Sequence, residues 1–417
     1  MIISRSLRHG AVLTTLLLSP ILGWNGIIVA IGIVLYQFRK GAVTVPAWSG
    51  LKLADKVVVC SFIAYFLSCV FSDIVHNPAS GVWNQMKSLM PLTLAALYIC
   101  SPNKIRITTE ALAGAARATI AIIFLLTLPE YLYFNILKSD PYYRTQLLSG
   151  NPLHISLWVP VLTALCFADC KHASLKKNLG TVAVSICAIV CVTFFLQARA
   201  SLLALMVVVA VGLFLLVRSI QTSAPGHSHH PRQIQAWLLI LTVTAACVSA
   251  ISFAPERVRQ LILNPIGYAS NPKVDSSAET RVAHWKAGLQ AIENRPWSGY
   301  GASNEAMVLK DLVSNTVPLH LHAHQQFLSF GIAGGVPAIV FGTLFLLLPI
   351  IYTAINRSES VVMLCSGALS ATIITASLSD SLISNKRHAA IFMILLAIIA
   401  STRASAQKAS APDLRSA

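Results

Sequence analysis

Apolar runs recur along most of the chain, each close to the length that a membrane-crossing helix needs. Read by this pattern, they fall at roughly 10–22, 24–38, 57–72, 84–100, 117–134, 153–169, 179–196, 201–217, 235–253, 333–353, 360–379 and 389–402. Residues 11–37 are long for one crossing, and Pro20 with Gly23-Trp24-Asn25-Gly26 predicts a break inside them. The ten-residue alternation of barrel strands is absent. One long polar insertion, residues 254–325, interrupts the series and ends in His320-Leu321-His322-Ala323-His324-Gln325-Gln326-Phe327. The fold expected is an all-α polytopic membrane protein of about 12 transmembrane helices. Its predicted organisation is helices 1–9 over residues 1–253, one long loop with short amphipathic helices and an active-site segment over 254–332, helices 10–12 over 333–402, and a polar tail over 403–417.

Composition agrees with this pattern. Hydrophobic residues make up 55% of the chain and charged residues only 11%, against about a quarter charged in soluble domains. The formal net charge of +16 would suggest nucleic acid in a soluble protein. In a membrane protein it is better read through the positive-inside rule, and no nucleic-acid partner is expected. With twelve spans and the N-terminus inside, Arg5, Arg8, Arg39, Lys40, Lys52, Lys56, Lys104, Arg106, Arg117, Lys171, Lys176, Lys177 and Arg218 all face the cytoplasm. Lys87, Lys138, Arg144, Arg199, Lys386 and Arg387 fall in short outside loops. A single crossing at 11–37 would set Arg5 and Arg8 opposite the Arg39–Lys56 cluster. Charge parity therefore predicts an extracytoplasmic insertion and both termini inside.

The nine cysteines all lie in or beside apolar runs, which argues against a disulfide framework. Arg5 and Arg8 precede the first apolar run as in a signal peptide, but no small-x-small cleavage site follows. That run is expected to be an uncleaved anchor.

Several polar groups stand out against this background. Arg199 lies between two apolar spans with almost no loop, in Gln197-Ala198-Arg199-Ala200-Ser201. Ser201 can cap the following helix, so Arg199 and a helix N-terminus would suit a phosphate; an ordinary interfacial anchor fits equally well. Residues 279–292 are amphipathic, with Val282, Trp285, Leu289 and Ile292 at helical spacing, as in a helix lying on the bilayer surface with Trp285 at headgroup depth. Arg281, in its first turn, either reaches an anion or is simply solvated. His320, His322 and His324 recur at period two. In an extended segment they would face one way, yet no carboxylate or cysteine nearby in sequence completes a metal site. Entering a helix, they diverge, and one imidazole can act as a general base or bond to backbone. His227, His229 and His230 belong to a Pro/Gly/Ser/His linker on the opposite side, and Asp380, Lys386, Arg387 and His388 to a short outside loop that either lines the same site or pairs locally. Arg199, Arg281 and His324 are predicted on one side of the membrane. Two cations and a base there suit a lipid-linked phosphate donor.

In order and spacing, three segments resemble the O-antigen ligase and polymerase superfamily of integral membrane glycosyltransferases. They are Gln197-Ala198-Arg199-Ala200-Ser201; Arg281-Val282-Ala283-His284-Trp285 followed by Pro296-Trp297-Ser298-Gly299-Tyr300-Gly301; and His322-Ala323-His324-Gln325-Gln326-Phe327-Leu328-Ser329-Phe330-Gly331. The resemblance implies transfer of a glycan from undecaprenyl diphosphate at the periplasmic face of the bacterial inner membrane, inverting, with neither metal nor other cofactor. It implies that Arg199 and Arg281 hold the diphosphate and that His324, seven residues before Gly331, is the base, with His322 beside it as a further substrate contact. Where the family often has Asn after this His, Gln325 stands. With a short tail the chain fits a ligase best, taking lipid A-core as acceptor. An O-antigen polymerase or a protein O-oligosaccharyltransferase is the alternative within the superfamily. A transporter or flippase for a lipid-linked or anionic solute is a more distant one, disfavoured because no clearly charged residue sits mid-span.

Overall fold

The structure is a computed structural model that describes residues 13–14, 16–22, 24–39, 48–76, 92–101, 107–138, 145, 155–169, 175–222, 241–250, 252–254, 276–313, 322–356, 358, 360–378, 381 and 386–403. Nearly all of them are helical. The helices used below are α1 (Trp24–Arg39), α2 (Leu53–His76), α3 (Thr109–Tyr131), α4 (Val159–Cys166), α5 (Leu175–Val190), α6 (Arg199–Thr222), α7 (Ser276–Asn294), α8 (Glu305–Leu312), α9 (Gln326–Ile355), α10 (Ser360–Ser377) and α11 (Lys386–Ser401).

Among the described residues, six stretches are long and apolar enough to cross a membrane: Leu53–His76, Thr109–Leu137, Lys176–Phe195, Ser201–Ser219, Gln326–Ile355 and Ser360–Ser377. Ile27–Tyr36, Leu241–Ala250 and Arg387–Ser401 are shorter apolar helices. Each overlaps a span predicted from the sequence. The predicted spans 10–22, 84–100 and 153–169 meet only shorter helical pieces among the described residues, Val159–Cys166 being buried along its whole length. The chain is thus an all-α, multi-pass membrane protein.

Packing in such a bundle rests on close contact and aromatic geometry rather than on exclusion of water, because lipid is as apolar as the core. Tyr65 of α2 stacks on Phe345 of α9 at 5.0 Å and meets Phe330 edge-on at 5.5 Å. Phe345 in turn lies 5.3 Å from Phe392 of α11. Other faces keep large apolar side chains exposed, as lipid-facing helices do: Leu67 and Phe71 on α2, Leu125 on α3, Val207 and Phe214 on α6. In α3, Thr108 caps the first turn by accepting from the Ala111 N–H at 3.2 Å. Near its other end Pro129 removes a donor, and a π-turn over Leu132–Leu137 follows.

Polar contacts define the two ends of the bundle. At one end the Arg117 guanidinium donates to both carboxylate oxygens of Asp169, at 3.1 and 2.9 Å, and to Thr181 Oγ1 at 2.9 Å. Lys177 pairs with Glu110, the Tyr352 hydroxyl donates to Asp55 at 3.4 Å, and Ile107–Thr108 pairs in parallel with Thr402–Arg403. Arg117, Lys177 and Lys56 were all predicted on the cytoplasmic side, and they gather at this end. At the other end Ser329 at the head of α9 bonds Ser381 at 2.7 Å. There too the rings of His388 in α11 and Trp158 lie 5.9 Å apart, and Ser201 in α6 bonds Ser156 at 3.3 Å.

The predicted last three spans begin at 333, but α9 starts earlier, at Gln326, and is interrupted inside. Gly334 (φ −144°, ψ 21°) and Gly335 (φ 68°, ψ −159°) leave the helical region. The break is filled from outside. Tyr300 N–H donates to Ile332 O at 2.7 Å, Gly301 N–H to Ala333 O at 2.9 Å, and Val336 N–H to Pro296 O at 2.7 Å. The Pro296–Gly301 turn thus satisfies backbone groups that the break frees, which is how a membrane helix tolerates such an interruption. It explains why hydropathy sees a span only from about 333: the preceding turns of α9 belong to the site.

Candidate functional site

The site grows from three elements at the second end of the bundle: α7, the α8 N-terminus and the turn leading into α9. In α7 the buried face is Thr280, His284, Ala287, Gly288 and Ala291. This differs from the predicted apolar stripe, which the structure splits. Val282 and Leu289 are exposed, while Trp285 and Ile292 pack against the cluster of Ala287, Ala291, Val308, Leu309, Ala323, Leu328 and Ile332. Trp285 is therefore a packing residue of this small core. The reason is steric. A Cβ at Gly288 would lie 3.3 Å from Leu328, and a side chain at Gly331 would run into Ile292, so the small-residue face lets α7 lie tightly on α9.

His284, fully buried, comes to the centre of that contact. Its Nδ1 stands 2.7 Å from the carbonyl oxygen of Thr280. A carbonyl can only accept, so Nδ1 carries the proton. Its ring meets that of His324 edge-on, with centroids 6.5 Å apart. Arg281 is one turn back on the same side of α7, since residues three apart share a helix face. It is half-buried, and among the described residues no hydrogen bond or ion pair engages its guanidinium.

His324 sits in the left-handed region, at φ 52°. Directly after it Gln325 caps α9, its side-chain oxygen accepting from the Leu328 N–H at 2.6 Å. This is the role of an N-cap residue, satisfying a donor that helix geometry leaves free. The departure at Gln325 from the family's usual Asn thus keeps a side-chain amide oxygen in a capping position. His322, two residues earlier, is exposed at the surface, its Nδ1 3.7 Å from Glu305 Oε2. His320 lies outside the described residues.

Arg199 opens α6, at the end of the bundle where the Ser201–Ser156 contact lies. Before it, a π-turn over Cys191–Phe195 and Gln197 at φ 47° turn the chain from α5 into α6 with almost no loop. Among the described residues Gln197 and His324 are the two non-glycine residues with positive φ. Each costs of order 1–3 kcal/mol of backbone strain, a kind of outlier that concentrates where function holds it. One precedes Arg199 by two positions; the other is the histidine implicated as base.

The sequence left two residues unread. His284 stands three positions from Arg281, so helical spacing carried the signal. Glu305 is 5% exposed and accepts from Ala323 N–H at 3.0 Å and from Ser329 Oγ at 2.5 Å. Its partners lie well downstream, and only the fold brings them together.

Residues 183–343 match a family model described as O-antigen ligase. Over this segment the chain is similar to the O-antigen ligase family, in line with the resemblance read from its motifs. The match spans Arg199, Arg281, His284, Glu305, His322 and His324 together. It also includes the head of α9, where the Pro296–Gly301 turn docks. No curated protein matches the chain in sequence.

Proposed function

We propose that this protein is an O-antigen ligase. It transfers O-antigen polysaccharide from undecaprenyl diphosphate to lipid A-core at the periplasmic face of the inner membrane. The observation that carries the proposal is the strained His324 turn, set edge-on against His284 one helical turn from Arg281, inside the family-matched segment.

In this reading a hydroxyl of the lipid A-core sugar is the nucleophile. His324 accepts its proton as the oxygen bonds to the anomeric carbon of the donor. The bond from that carbon to the diphosphate oxygen breaks, its electron pair stays with undecaprenyl diphosphate, and Arg199 and Arg281 stabilise the charge that develops there. One displacement inverts the anomeric centre. No metal or other cofactor enters the scheme. His322 at the rim adds a donor for the anionic substrate, and the buried His284 limits the positions open to the His324 ring.

The test is a deletion strain complemented with variants, read by lipopolysaccharide electrophoresis. A ligase predicts rough core with accumulated lipid-linked polymer in the deletion strain, and the same pattern with His324→Ala or Arg281→Ala present at normal abundance. Full O-antigen ladders in both variants would overturn the site. Core bearing a single repeat unit would identify an O-antigen polymerase instead, and unglycosylated pilin with normal lipopolysaccharide a protein O-oligosaccharyltransferase.

A further inference from the structure

Glu305 opens α8, directly after the 3-10 turn Ala302–Asn304. An acidic residue in a helix's first turn is favoured by the helix dipole, and such a residue is ordinarily solvated. This one instead turns inward, and its carboxylate is buried. Taking a carboxylate out of water costs several kcal/mol unless donors replace the lost hydration. The replacement donors all come from the segment that bears the proposed base. Oε1 accepts from the Ala323 N–H at 3.0 Å and from Ser329 Oγ at 2.5 Å, and Oε2 lies 3.7 Å from His322 Nδ1.

These contacts bracket His324. Ala323 precedes it and Ser329 lies in the first turns of α9, so one carboxylate oxygen grips the chain on both sides of a residue held at φ 52°. Such a conformation persists only where its surroundings over-determine it. Glu305 is itself tethered. Ser303 N–H donates to Asp73 Oδ1 of α2 at 3.2 Å, and Asn304 Nδ2 donates to Tyr300 O at 2.8 Å. The chain of contacts therefore runs from a membrane-length helix through Asp73 and Glu305 to the turn that carries the imidazole.

We infer that Glu305 is a positioning residue: its buried carboxylate, by accepting from Ala323 and Ser329, fixes the backbone turn that aims His324 at the acceptor hydroxyl. The inference rests on the transfer reaction proposed above. It makes Glu305 act through His324 and not on substrate.

The experiment uses full-length protein in detergent, with donor lipid and lipid A-core extracted from the deletion strain, and measures kcat and donor KM alongside folded amount. Glu305→Ala removes both acceptors. It is expected to lower kcat about 100-fold, the scale of a misplaced catalytic group, with donor KM within about threefold of wild type. Glu305→Gln keeps an acceptor oxygen but loses the charge that strengthens the bonds. It is expected to turn over at about a third to a tenth of wild type, again with KM unchanged. Should the Ala variant fail to accumulate, the Gln variant carries the test alone. Wild-type kcat in a folded variant, or a loss residing in KM, overturns the inference. His324→Ala runs in the same assay. If it turns over like wild type, the proposed reaction itself falls; if it is inactive while both Glu305 variants turn over normally, only the positioning role falls.

Discussion

Replacing Gly335 with alanine tests whether the broken α9 helix is held open by the Pro296–Gly301 turn. Gly335 occupies φ 68°, ψ −159°, a region essentially reserved for glycine. An alanine forced there costs about 1–3 kcal/mol in backbone strain. Its Cβ would also run into the carbonyl oxygen of Pro296, which accepts from Val336 N–H at 2.7 Å. The obstacle is backbone and cannot rotate aside, so the turn must lift and that bond weaken, a further loss of about 1 kcal/mol. The combined penalty, about 2–4 kcal/mol, corresponds in a chain of this size to a melting temperature lower by about 2–5 °C. The assay is thermal unfolding of the detergent-solubilised protein, with hydrogen exchange at the Tyr300, Gly301 and Val336 amides. All three should exchange faster in the variant. Gly367→Ala in α10 is the control: nothing lies within 4 Å of its added Cβ, so its melting temperature should hold or rise slightly. A Gly335→Ala protein that melts within about 1 °C of wild type with unchanged exchange at those amides would refute the docking argument.

Other expectations follow from the same contacts. Asp169→Ala leaves the Arg117 guanidinium at a largely buried site without its bidentate partner and should cost about 3–5 kcal/mol, read as a lower melting temperature. The double variant Arg117→Met/Asp169→Leu should recover much of that loss, because removing both charges removes the unpaired one. In the proposed reaction, His324→Ala should reduce transfer at least about 100-fold with normal membrane abundance. Arg281→Lys should restore little of what Arg281→Ala loses, since an ammonium cannot reproduce the forked contact of a guanidinium with a phosphate. Gly288→Val should push α7 away from Leu328, read as a lower melting temperature of the detergent-solubilised protein.

Much of this architecture could be read from the sequence because a membrane makes polarity conspicuous. Arg281, His322 and His324 stand out in a chain that is 55% hydrophobic, and the structure sets His324 against His284, three positions from Arg281 on α7. Helix positions were legible for the same reason. The orientation of α7 was not. Its apolar stripe of Val282, Trp285, Leu289 and Ile292 reads as one membrane-facing surface, yet Val282 and Leu289 stay exposed while Trp285 and Ile292 pack with Ala287 and Ala291. Where neighbouring helices meet beside lipid, fit and not hydrophobicity selects the contact face. Nor was Glu305 legible. It resembles any solvated carboxylate in a loop until Ala323 and Ser329 fold back upon it. The start of α9 was read late because hydropathy averages over the polar Gln325-Gln326 pair, which in the fold caps and begins the helix.

The interruption in α9 also fixes a height. The stub from Gln326 to Ala333 is eight residues of helix, about 12 Å at 1.5 Å per residue, between the cap beside His324 and the glycine break. Below the break the helix continues as a shaft packed on α2. The imidazole is therefore mounted on a post of set length that stands on the shaft. Its distance from the shaft is set within α9 itself, by the number of helical residues between the Gln325 cap and the Gly334 break.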